Sequence, residues 1–158
     1  MIPNVLHLAA NDAALEAAVK RSRKLLNKRA LIAAVASALP VPGLDAALLS
    51  RLIPQINKEF GLAPEQIDQL DPKKREQVQK AVTMVGSVLI GKFISRDLII
   101  KATTQIGTRL TTKQVAKYVP LAGQIVAASV GFAAIRYFGE GHMKDCIRVA
   151  RQAQLRLN

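Results

Sequence analysis

Pro40, Pro42 and Gly43 stand inside fifteen consecutive uncharged residues, Ala30 to Leu44. Proline lacks a backbone N–H and disfavours helix in the residue before it, so no regular element is expected to continue through this point. Tyr118-Val119-Pro120-Leu121-Ala122-Gly123-Gln124 echoes the pattern. Both Pro-x-x-Gly segments open a run rich in Ala, Leu, Ile and Val. The chain must place two sharp turns among its most apolar residues and still satisfy their backbone groups.

The segments between these breaks have helical periodicity. Asn11 or Asp12 can cap a first helix in which Leu15, Val19, Ser22 and Leu26 share one face. This helix is expected to end near Leu39. Gly43 and Asp45 restart the chain, with Asp45 read as a cap. Leu44, Leu48, Leu52 and Ile56 then form a stripe widened by Leu49 and Ile53, and Pro54 is expected to kink or split it. Gly61 is read as a stop and Pro64 as the start of a short helix. Asp71-Pro72 opens another, in which Val78, Val82, Val85, Leu89 and Phe93 continue one apolar face. Ser95-Arg96-Asp97 separates that helix from one carrying Ile99, Ala102, Ile106 and Leu110. Thr111 to Gln114 has the capping-box pattern. Gly139 and Gly141 are expected to break the chain before a last helix, His142 to Leu157. No segment alternates with period two for long enough to form a strand.

The reading is a single all-α domain, residues 1–158, a compact bundle of six or seven helices with breaks at 40–43 and 120–123. A pseudo-repeat of two halves is compatible with the matched breaks. The polar stretch 59–76 holds five of the eleven acids and is expected as a surface connection.

Composition bears on partners. The chain carries 23 basic and 11 acidic residues, a formal charge of +12, with four Phe, two Tyr and no Trp. Such a charge points to an anionic bilayer, an acidic protein or nucleic acid. The basic residues cluster at Lys20, Arg21, Arg23, Lys24, Lys28 and Arg29, and again at Lys73, Lys74 and Arg75. Aromatic residues are not interleaved with them, so single-stranded nucleic acid fits less well than lipid headgroups. The bland alternative is a solvated helical face. The eighteen-residue uncharged run Tyr118–Ile135 contains Pro120 and Gln124 and reads as a buried helix. Gly123, Ala127 and Gly131 form a small-residue stripe that lets helices approach closely. The first ten residues have no basic n-region and are read as no cleavable signal.

Reactive chemistry is not expected. The single cysteine, Cys146, excludes an internal disulfide and a cysteine-built zinc site. It is read as a small buried core residue, unconnected with His7 and His142. Neither a Gly-x-Ser-x-Gly elbow nor a Gly-x-x-x-x-Gly-Lys-Ser/Thr loop occurs. Catalytic, cofactor and metal sites are therefore all read as none.

Ala38 to Asp45, Phe60-Gly61-Leu62, and Lys117 to Gly123 with the helix after it resemble the hydrophobic helical domain of YcjF-type bacterial proteins. The EcsC family has a similar layout. The resemblance spans roughly Lys28 to Tyr137. It implies a bacterial, helical, membrane-associated protein without established activity, of a kind also appended to GTPase domains, and hence a GTPase as partner. The expected function is non-enzymatic: apolar helices with basic flanks on an anionic bilayer, at the inner face of the cytoplasmic membrane. The alternatives are a soluble scaffold docking an acidic partner and a small pore-forming effector. Self-association is allowed but not specified.

Overall fold

The computed structural model describes residues 5–37, 44–87, 89–90 and 126–157, with side chains over 5–32, 50–87, 89–90 and 135–157. The turns expected at Pro40, Pro42 and Gly43 and at Pro120 and Gly123 lie outside the described residues. So do the side chain of Asp45, the helices expected between residues 91 and 120, and the packing of Ala127 and Gly131.

The described chain is α-helical without a strand. Its helices are α1 (Val5–Leu8), α2 (Ala13–Ser37), α3 (Leu44–Glu59), α4 (Pro64–Asp68), α5 (Pro72–Val85) and α6 (Val126–Gln152). Asp12, not Asn11, caps α2: its Oδ1 accepts from the backbone N–H of Ala14 and Leu15, both at 3.1 Å. Asn11 instead takes the left-handed turn before it, φ 70°. Leu15, Val19, Ser22 and Leu26 are all buried, as their spacing predicts. Asp71 accepts from Lys74 N–H at 2.8 Å and caps α5, with Pro72 in the first turn.

α2 and α6 are the long pair at the centre of the packing. They run antiparallel, because Ala10 is bonded to Arg151, Arg23 to Glu140 and Asn27 to Arg136. α3 packs on both, α5 packs on α6, and α1 closes one end. Leu26, Leu52, Ile56, Phe60, Ile135, Met143 and Ile147 lie in the shared core. Each such side chain contributes roughly 1.5–3 kcal/mol by leaving water.

Three local expectations are corrected. Pro54 does not split α3, which runs unbroken from Leu44 to Glu59. Its ring lies on the exposed side while Leu52, Ile53 and Ile56 hold the other face in the core. The periodic face Val78–Leu89 is not one helix. α5 stops at Gly86, whose φ of 75° and N–H to Val82 carbonyl bond (2.9 Å) terminate it. Ile90 is then buried from outside the helix. Phe93 lies beyond the described residues.

Gly139 and Gly141, finally, do not break α6. Ile135, Phe138, Met143, Cys146, Ile147 and Ala150 are buried on both sides of them. That burial far exceeds the cost of about 1 kcal/mol for each helical glycine. Gly139 is a contact point: a Cβ there would stand 2.2 Å from Leu26 Cδ1 and 2.7 Å from Cδ2. Glycine lets α2 lie directly on α6.

The polar stretch 59–76 is anchored. Gly61, at φ 71°, ends α3 with its N–H on the Lys58 carbonyl, while Leu62 N–H reaches the Asn57 carbonyl at 2.8 Å. This turns Phe60, Leu62, Ala63 and Ile67 into the core and leaves Glu65, Asp68 and Asp71 exposed. α6 ends in the same motif at Gln154, φ 53°, with Leu155 N–H on the Ala150 carbonyl.

Candidate functional site

Three polar features stand out: a buried Asn–His–Cys cluster, an ion-paired carboxylate between α2 and α6, and the outer face of α2.

Asn57 of α3 and His142 and Cys146 of α6 are 1 %, 3 % and 0 % exposed. Asn57 Nδ2 donates to the Leu89 carbonyl at 2.9 Å, which turns its Oδ1 toward α6. That oxygen lies 2.7 Å from His142 Nε2 and 3.6 Å from Cys146 Sγ, and the sulfur is 3.5 Å from the same nitrogen. An amide oxygen can only accept, so Nε2 carries the imidazole proton and Nδ1 holds the lone pair. Nδ1 is buried and has no hydrogen-bond partner.

A cysteine nucleophile needs a base that takes its proton. Here the basic nitrogen points away from the sulfur. Burial pushes the Cys146 thiol well above its ordinary range, and burial lowers His142 from 6.5 to about 3. The pair is thus a neutral thiol beside a neutral imidazole, not an activated couple. His142 and Cys146 occupy one turn of α6, and that spacing of four is the signal in the sequence that could have joined them. The reading of Cys146 as buried holds; its separation from histidine does not. Only the fold could add Asn57, 85 residues before His142. Among the described residues no three His, Cys, Asp or Glu side chains converge as a metal site would require.

The nine basic residues expected as contacts divide. Arg23 turns inward and grips Glu140 with Nε on Oε1 (2.9 Å) and Nη2 on Oε2 (3.1 Å). Glu140, 4 % exposed, also takes Arg136, whose other guanidinium nitrogen bonds Asn27. Such a carboxylate is retained in the interior only because it is paired. Arg21 is ion-paired to Glu59. Lys74 Nζ donates to the carbonyls of Ala153 (2.9 Å) and Gln154 (3.2 Å), capping the negative end of α6. Arg75 is half-buried, with an unpartnered Nε. Arg29 is half-buried as well.

Lys20, Lys24 and Lys28 remain, with Lys73 on α5. These four are exposed and pair with no carboxylate among the described residues. The three lysines of α2 repeat every four residues and so form one stripe. Leu31, 60 % exposed, continues that stripe by one turn, and Ile32, 40 % exposed, flanks it. The α2 and α5 clusters are not brought together, since both helices pack on α6 rather than on each other. No described helix is long and apolar enough to cross a membrane.

No family model matches the chain, and no solved structure matches it. The chain is similar to interferon-inducible GTPase 5 of Rattus norvegicus and of Bos taurus. It is 25% identical to each over 158 residues, covering 94% of this chain and 34% of the relative. The chain thus spans about a third of the length of the curated relatives it matches.

Proposed function

We propose that this chain is a non-enzymatic helical module that engages an anionic membrane surface through the outer face of α2. The observation that carries the reading is the stripe of Lys20, Lys24 and Lys28, exposed and without a carboxylate partner among the described residues, running into exposed Leu31 and Ile32. A cationic helix face with apolar residues at one end lies along a headgroup layer, lysines on phosphate and aliphatic side chains dipping below it. Each lysine near such a surface contributes on the order of 1 kcal/mol. The attachment is therefore reversible and salt-dependent.

Two considerations support a link to a GTPase. The relatives it matches are named as GTPases, and the layout of its apolar helices resembles a domain appended to GTPases. The 158 residues contain no phosphate-binding loop, so nucleotide chemistry would come from outside them. The membrane in question is the cytoplasmic face, where anionic lipids concentrate.

Flotation with vesicles tests this reading. Phosphatidylcholine vesicles containing phosphatidylserine should carry the protein upward at low salt, and pure phosphatidylcholine should not. Replacing Lys20, Lys24 and Lys28 by Glu should weaken binding by roughly a hundredfold or more. A wild-type protein that ignores anionic vesicles at low salt refutes the reading. Capture of an acidic protein by the same three lysines would then support the scaffold alternative.

A further inference from the structure

We propose that the open cleft where α2, the end of α3, α4 and the C-terminal tail meet binds a single-chain anionic amphiphile, such as a fatty acid or lysophosphatidate. The cleft encloses about 640 Å³, within the range of small-molecule sites. Leu25, Leu70, Leu155 and Leu157 line it, and all four are only partly buried. They come from three separate parts of the chain. The exposed parts of these four leucines meet around one hollow, where a hydrocarbon chain would cover them.

The rim carries the complementary charge. Arg21, Lys58 and Arg156 line the cleft against one acid, Glu59. Lys58 and Arg156 are exposed and pair with no carboxylate among the described residues. Arg21 is held by Glu59, so an arriving carboxylate or phosphate meets two exposed cations and competes for a third. Glu59 is the group that opposes the ligand. It also sits in the last turn of α3, where a negative charge faces the negative end of the helix. Its neutralisation therefore does not threaten the fold. The cleft is distinct from the lysine stripe of α2, and the proposal does not rest on the membrane reading.

The experiment titrates oleate and oleoyl-lysophosphatidate, below their aggregation concentrations, into isotope-labelled protein. Backbone amide shifts at Gly61, Gln66 and Leu157 report the cleft. Glu59→Gln should tighten binding by roughly two- to fivefold, because it releases Arg21. A gain of affinity cannot come from misfolding. Lys58→Glu with Arg156→Glu should weaken binding by roughly tenfold, in protein whose thermal melt is checked. The Lys20, Lys24 and Lys28 to Glu variant should bind the monomeric amphiphile unchanged, separating this site from vesicle attachment. Uncharged monoolein binding as tightly as oleate, an unmoved affinity in Glu59→Gln, or shifts confined to residues outside the cleft would each overturn the proposal.

Discussion

Acid should destabilise this fold through His142. Its Nε2–H is committed to Asn57, and its Nδ1 is buried without an acceptor. A second proton would therefore place an unpaired charge in the core. Burial lowers the folded-state pKa from 6.5 to about 3. The unfolded chain consequently binds the proton first as pH falls, and stability declines below about 6.5 until the folded imidazole protonates near 3. The slope approaches about 1.4 kcal/mol per pH unit, which amounts to about 2 kcal/mol lost between neutrality and pH 5. That is a sizeable part of a typical domain's stability. Cys146 titrates only in alkali, its thiol pushed up by burial. Asp145, raised above its ordinary 3.8 mainly by burial, has the opposite sign and is common to wild type and His142→Gln, so it cancels in their difference. Urea unfolding followed by circular dichroism at stepwise pH, in wild type and His142→Gln, isolates the effect. Wild type should lose stability from pH 7 to 5, and the variant, starting lower, should be nearly flat by comparison. Parallel slopes in the two proteins would refute the reasoning.

The two glycines of α6 should respond oppositely to alanine. Gly139→Ala should cost roughly 1–3 kcal/mol, because its Cβ would collide with Leu26. Gly141→Ala, with nothing within 4 Å of the added carbon, should gain roughly 0.5–1 kcal/mol. Thermal melts of the pair check this, and equal effects would contradict the described packing. Glu140→Gln should cost roughly 2–3 kcal/mol by leaving Arg23 and Arg136 without their shared counter-ion. Raised salt should not mimic that loss.

Much of the helical layout is legible in the sequence because it follows from local chemistry. The buried stripe of α2, the Asp12 and Asp71 caps and the Gly61 stop each depend on residues within a turn or two of one another. Three residues expected to interrupt their helices do not end them, for one reason. Proline and glycine declare a local cost of about 1–3 kcal/mol, but not the burial that overrides it. Pro54 has its ring in solvent, and Gly139 and Gly141 sit in a helix held by buried neighbours. Conversely, the apolar period continuing past Gly86 conceals a real stop, since Ile90 reaches the core from outside the helix.

The site divides in the same way. By itself the sequence determined the composition of the basic face, its spacing on α2, the missing phosphate loop and the turn shared by His142 and Cys146. Tertiary structure alone decided which charges are available. Arg23 and Lys24 are neighbours in sequence, yet one is spent on Glu140 and the other faces solvent. It also decided that the thiol stays neutral, because Asn57 arrives from another helix and accepts the imidazole Nε2–H, leaving the basic nitrogen turned away from the sulfur. Charge is counted along the chain, but whether it is paired, desolvated or free depends on what the fold places within about 4 Å of it.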